Sequence, residues 1–204
     1  MSQKTKGIYS LLSSAWFYMI FQKIMSGTYR RRKIVEKYIK KEKVKILDIG
    51  CGPAEILDNL KNVKYYGYDI NPNYIEYAKK KYFGAEYNFY CKKFSSKEIS
   101  KLPKFDFIIL FGILHHLKDT EAKFLLKLLK KVLKKNGTIL TQDPIIIENQ
   151  NIFARFLIEK DRGENVRDKK NYIQLFRNNF RNIKTEIFKQ KFIPYTWFTT
   201  RCKK

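Results

Sequence analysis

Cysteine, histidine and acidic residues are scarce in this 204-residue chain, and no long uninterrupted apolar run occurs in it. Cys51, Cys91 and Cys202 form no Cys-x-x-Cys pair and no cluster with the two histidines, so neither a disulfide framework nor a metal site is indicated. A reducing cytoplasm is the simplest compartment. The most apolar stretch, Ile8 to Met25, is broken by Ser10, Ser13, Ser14, Gln22 and Lys23, which fits a signal peptide or a membrane span poorly. Its apolar residues Leu11, Leu12, Ala15, Trp16, Met19 and Ile20 recur at helical spacing. They predict an amphipathic helix that packs on the domain as a lid, or that lies against a membrane surface as a peripheral contact.

The shortage of acid leaves a formal charge of +24, with 43 Lys and Arg against 19 Asp and Glu. Such a balance attracts the phosphates of nucleic acid or an anionic membrane. A compositional origin competes, because the chain is rich in Lys, Ile, Asn, Phe and Tyr, which share A/T-rich codons. The lysines are also scattered over most helices and do not form one basic arm.

What is present is a globular composition, 44% hydrophobic and 16% aromatic, in a length that suits one domain of residues 1–204. Within it, 1–42 reads as N-terminal helices and lid, 43–144 as a core, and 145–204 as an insertion with a closing hairpin. After a basic helix near Tyr29–Lys40, short apolar runs alternate with helical segments. The runs Val44–Ile49, Lys64–Asp69, Tyr87–Cys91, Phe105–Phe111 and Thr138–Gln142 predict strands. Helices are predicted near Ala54–Leu60, Pro72–Tyr82 and Thr120–Lys135, the last stopping before Asn136-Gly137. The alternation predicts an α/β fold with parallel pairing and right-handed crossovers. Further helices near Ile152–Lys160 and Asp168–Asn178 precede two β-rich runs, Ile183–Phe188 and Phe192–Arg201, which predict a hairpin closing the sheet edge.

The sharpest chemical signal is Asp48-Ile49-Gly50-Cys51-Gly52 at the end of the first strand. Two glycines one residue apart allow a tight turn whose backbone amides can approach a ligand, and Asp69, ending the next strand, can accept hydrogen bonds from both hydroxyls of a ribose. A dinucleotide site also combines a glycine loop with a distal acid, but the third glycine is missing. Glu55 stands where a pyrophosphate would meet the helix N-terminus, and a carboxylate there opposes phosphate.

Four motifs in order make a more specific pattern. Leu47-Asp48-Ile49-Gly50-Cys51-Gly52 resembles the first motif of class I S-adenosylmethionine-dependent methyltransferases, and Tyr68-Asp69-Ile70-Asn71-Pro72 the second. The segment Phe105–Leu117 is similar to their fourth-strand motif, and Leu133–Leu140 to the helix, turn and strand that follow. The resemblance implies a Rossmann-like α/β fold: a mostly parallel seven-stranded sheet flanked by helices, with a C-terminal antiparallel hairpin and an N-terminal helical lid. It also implies S-adenosylmethionine as cofactor, held by Asp48, Gly50, Cys51, Gly52, Asp69, Ile70, Phe94, Phe111 and Gly112. A sulfonium cation tolerates Glu55, and Asp48 suits its amino group. Many members carry an acid after the third strand that meets the adenine amino group; here the chain reads Cys91-Lys92-Lys93-Phe94, so adenine falls to backbone and to packing on Phe94 or Ile70.

Methyl transfer requires alignment, and an alcohol or ammonium acceptor must also lose a proton. The only histidines, His115 and His116, follow the fourth strand, on the rim that faces the methyl group in this family. Either a catalytic base or a structural cap accounts for them, and Asp143 after the fifth strand is likewise a second base or a cap. Arg162 and Arg167 form an anion-binding wall or an ion-paired turn. Tyr195 reaches the pocket or packs in the core. Tyr9 and Trp16 cover the site or pack beneath it. Three functions stand: methylation of an O or N atom of a small-molecule, sugar-linked or lipid-linked acceptor; ribose-directed RNA methylation, motivated by charge; and cofactor binding at a membrane surface without turnover. Base-amino and cytosine-C5 methylation lack their residues, because Phe111-Gly112-Ile113-Leu114 replaces the expected Pro-Pro or cysteine motif.

Overall fold

In the computed structural model, which describes residues 28–159, 163–189 and 195–204, the apolar runs become one seven-stranded sheet. β1 (Lys45–Ile49), β2 (Lys64–Asp69), β3 (Tyr87–Cys91), β4 (Phe105–Phe111) and β5 (Leu133–Pro144) pair in parallel. β7 (Thr196–Lys203) runs antiparallel between β5 and β6 (Asn182–Lys189), giving the order β3-β2-β1-β4-β5-β7-β6. This is the Rossmann-like sheet with its antiparallel closing pair. β1, β4 and β5 lie at its centre and are mostly buried, because helices cover both faces of the sheet.

α1 (Thr28–Tyr38) and α2 (Pro72–Lys81) pack on one face, where Ile34, Val35, Ile75 and Ala78 meet Ile46, Ile109, Phe111 and Leu140. On the other face, α3 (Asp119–Val132) and α5 (Lys169–Arg177) bring Ala122, Leu126, Leu129, Tyr172 and Phe176 against Leu47, Ile108 and Ile139. Ends are set locally: the Asn71 side chain accepts from the amides of Asn73 and Tyr74 at the start of α2, and Asp168 accepts from Asn171 at the start of α5. α4 (Ile152–Glu159) lies between β5 and α5 in the chain. No helix among the described residues is long and apolar enough to cross a membrane.

Two elements differ from the sequence reading. Ala54–Leu60 is a short 3-10 turn, Glu55–Asn59, entered through Ala54 at φ 58 and held by Leu57 N–H to Ala54 O and Leu60 N–H to Leu57 O. Five residues after a left-handed entry are too few to set an α-helical ladder. The helix expected to reach Lys135 ends at Val132, and β5 begins at Leu133. Lys134 binds both oxygens of Asp106 at 2.8 Å, which draws the segment onto β4. Gly137 is therefore a strand residue: a Cβ there would sit 2.9 Å from Phe105 O and closer still to Leu133, so the glycine permits the approach of the two strands. The expected lid helix, with Tyr9 and Trp16, lies outside the described residues, as does Arg162.

Candidate active site

Every residue of the glycine loop is committed to one geometry. Gly50 and Gly52 take φ 72 and 54, a region that favours glycine. A Cβ on Gly50 would strike the Ile113 side chain at 2.1 Å, so this glycine allows the chain after β4 to close against the chain after β1. A Cβ on Gly52 would meet no described atom within 4 Å, so among the described residues nothing packs on the loop there. Across from it, Gly67 leaves room for the Cys51 thiol, which a Cβ would approach to 2.8 Å; burial pushes that thiol far up, out of the range of nucleophiles.

The loop amides are already used. Gly50 and Cys51 both donate to Tyr68 O, at 2.7 and 3.1 Å, and Gly52 donates to Asp69 Oδ2 at 2.9 Å. The expected amide cradle is thus corrected: these three amides donate within the fold and are not free to hold the amino-acid end of a ligand. What remains suits a ligand that brings its own donors. Asp69 also accepts from the Asn71 amide through Oδ1 at 2.8 Å, which fixes both carboxylate oxygens at the carboxyl end of β2 with lone pairs left for a pair of hydroxyls.

Asp48 lies beneath the loop, buried, with Oδ2 accepting from the Tyr65 hydroxyl at 2.6 Å. Burial pushes its carboxyl up to about 7, against the opposing pull of Tyr65 and the Arg31 guanidinium. Arg31 comes from α1 and was not anticipated. Its Nη2 reaches Phe111 O at 3.5 Å and would lie 3.1 Å from a Cβ on Gly112, at φ 74. Burial lowers its pKa, while Asp48, Asp143 and Glu55 pull it back up. A guanidinium and a carboxyl group thus interact beneath the glycine loop, a charge pattern that complements an amino-acid zwitterion. The signal was present in helical spacing, since Arg31 precedes the buried Ile34 and Val35 by three and four residues and shares their face.

His115 and Asp143 are brought together. Asp143 Oδ1 lies 2.9 Å from His115 Nδ1 and accepts the His115 amide at 3.2 Å, so one carboxylate fixes both ring and backbone. Asp143 Oδ2 is buried and makes no hydrogen bond to a described residue. The His115 Cε1 edge would lie 3.6 Å from a Cβ on Gly112, which places the ring beside the glycine that Arg31 also approaches. His116 stacks on His115 with centroids 4.0 Å apart and is half-buried.

Other expected site residues separate from this group. Arg167 is 7% exposed, and its donors go to Asp119, Leu114 O, Asn165 O and Leu117 O. It holds the histidine turn in place and presents no free fork to an anion, which corrects its assignment as a substrate contact. Phe94 is buried edge-on against Tyr68 in the core and forms no open adenine wall, whereas Ile70 is 52% exposed and available as one. Lys92 and Lys93 face Glu98 and Glu121, at 2.9 and 4.0 Å. Tyr195 is buried with Ile158 and Trp197 in a small apolar cluster.

Residues 40–200 match the family model described as "Methyltransferase domain". The chain belongs to this family. The protein is therefore a methyltransferase, an enzyme whose cofactor is S-adenosylmethionine. The half-buried glycine loop, Asp69, and the Asp48–Arg31 charge pair fit that group: Asp69 would take the ribose, Arg31 the carboxylate end, and acceptors near Asp48 the ammonium. No curated protein matches the chain in sequence. Solved structures do. A S-adenosylmethionine-dependent methyltransferase from Archaeoglobus fulgidus superposes with a TM-score of 0.71 at 17% identity, over 93% of this chain and 100% of its own. The N-methyltransferase NodS from Bradyrhizobium japonicum gives 0.65 at 14% identity, over 89% and 98%. Human N-acetylserotonin methyltransferase, in complex with its cofactor, gives 0.66 at 18% identity, over 98% of this chain and 60% of the human enzyme.

Proposed function

We propose that this methyltransferase transfers the methyl group of S-adenosylmethionine to an oxygen or nitrogen atom of a small acceptor, and that His115 assists by taking the acceptor's proton. The observation that carries the reading is the His115–Asp143 pair beside Gly112. Asp143 accepting from Nδ1 sets the tautomer in which Nε2 is the basic nitrogen, and the carboxylate stabilises the imidazolium that forms. The cofactor supplies an already electrophilic methyl carbon. The chain's own work is to hold the acceptor in line, keep water out and remove a proton. The same placement supports an O–H or N–H acceptor over a carbon nucleophile, and the solved neighbours include both O- and N-methyltransferases.

The test is product formation. Wild-type protein with S-adenosylmethionine and a panel of small alcohols, phenols and amines should release S-adenosylhomocysteine with at least one acceptor. His115→Ala should lower turnover by about 100-fold or more with cofactor affinity unchanged, the range for loss of a general base. Equal loss of thermal stability and turnover would assign His115 a structural role. The charge of +24 favours RNA as the second acceptor class. That reading requires an RNA affinity that falls linearly in log–log form as salt rises.

A further inference from the structure

On the α1 face of the sheet, three polar side chains from β5 and β7 lie side by side and make no side-chain hydrogen bond to any described residue. Gln142 is 1% exposed, and neither its Nε2 nor its Oε1 has a partner among the described residues. Its Cα partner on β7 is Thr199, whose buried Oγ1 is also unpartnered, and two residues further along the same face Trp197 buries an unpartnered Nε1. Directly opposed and alternate residues of paired strands share one face and are in reach of one another. The Arg30 Nε, above them on α1, is a fourth unpartnered donor. Native proteins leave few buried polar groups unmatched, and an amide with none of its hydrogen bonds made is a costly thing to conserve in a core. A row of them points to a ligand.

The row also sits where an acceptor has to be. Gln142 is the parallel partner of Phe111, and its carbonyl accepts the Gly112 amide at 2.7 Å, so it adjoins the glycine that His115 and Arg31 both approach. The register carries Asp48, Ile109, Phe111 and Gln142 onto the same face. We infer that Gln142, Thr199 and Trp197 form the acceptor subsite, and that it takes a neutral molecule bearing a hydroxyl or carbonyl oxygen. This deepens the proposed methyl transfer and rests on it. The choice of ligand follows from the groups. The indole and Arg30 nitrogens only donate, the Gln142 amide donates and accepts, and the Thr199 hydroxyl does either, so oxygen acceptors find donors to spare. Gln142, Thr199 and Trp197 carry no charge of their own to pair with an anion, and Arg30 at their edge faces Glu186 at 3.9 Å, a carboxylate that Lys37 also binds at 2.6 Å.

The experiment measures two quantities on the same variants. Ligand-observed NMR on protein loaded with S-adenosylhomocysteine uses phenol and benzamide as probes and toluene as the apolar control. Wild type should bind both oxygen probes and not toluene. Gln142→Leu should weaken the oxygen probes at least tenfold and keep the affinity for S-adenosylhomocysteine. It should also raise the melting temperature of the free protein, because an apolar side chain replaces an unmatched amide. Thr199→Val should behave in the same direction, and it stands in should Gln142→Leu fail to fold. The inference is overturned by a variant that melts lower than wild type with unchanged probe binding, or by a wild type that takes toluene as well as phenol. Failure of wild type to bind S-adenosylhomocysteine would instead bring down the methyl-transfer reading beneath it.

Discussion

Single residues decide what the crevice accepts. Asp48 is the most pH-sensitive of them. Its ordinary value is 3.8, and burial holds it near 7, so between those values the folded chain keeps a proton that the unfolded chain has lost. Stability from this group is therefore greatest below pH 4 and declines as pH rises toward 7. Binding a cationic ammonium favours the ionised form, so cofactor binding near pH 6 should release a proton. Calorimetry in two buffers of different ionisation enthalpy should show that release, and Asp48→Asn should abolish it. Arg31→Met should cost roughly 1.5–3 kcal/mol of cofactor binding through a lost charge-assisted contact, with little change in melting temperature. Binding that is unaltered in this variant would place the cofactor's carboxylate elsewhere. That Asp48, Gly50, Gly52, Asp69 and His115 stand at strand ends was legible in the sequence because their spacing is local. That Arg31 and Gln142 lie beside Gly112 was not, since each reaches that position only when a helix or a distant strand packs beside β4.

At the scale of elements, the parallel strands β1 to β4 fall within one residue of their expected runs: β1 and β4 are largely buried and read as apolar segments, while β2 and β3 are marked by closely spaced aromatic residues. β5 was read too short. Its first residues, Leu133 to Asn136, carry helix-forming lysines, and only the Asp106–Lys134 contact and the packing of Gly137 on β4 make them extended. Propensity lost to tertiary contact there. The turn bearing His115 is likewise held by a distant element: Arg167 bonds Leu114 O and Leu117 O, Asn165 donates to His115 O, and a Cβ on Gly163 would collide with the His115 ring. Arg167→Ala should cost about 3 kcal/mol of stability, because it strips a buried guanidinium from several carbonyls and from Asp119. Urea denaturation measures it; a loss under 1 kcal/mol would show the turn to be held without this clamp.

For the molecule as a whole, the charge of +24 is the dominant property. Several described acids already meet a cation, among them Asp58 with Lys81, Glu98 with Lys92 and Asp106 with Lys134, so the surplus is uncompensated positive charge. Surface pairs of this kind contribute little each, whereas mutual repulsion among the remaining cations opposes compactness at low salt. The melting temperature should therefore rise as sodium chloride goes from 20 to about 500 mM, where the screening length becomes shorter than the spacing of neighbouring charges. A falling value would show that the pairs outweigh the repulsion.

One titration bears most directly on the account: S-adenosylmethionine into wild-type protein and into Asp69→Ala, followed by calorimetry. Asp69 anchors the loop through Gly52 and ends the strand where the ribose would lie, so wild type should bind one equivalent and the variant at least tenfold more weakly, a loss of roughly 1.5–3 kcal/mol. A wild type that takes up no cofactor, or a variant that binds as tightly as wild type, would contradict it.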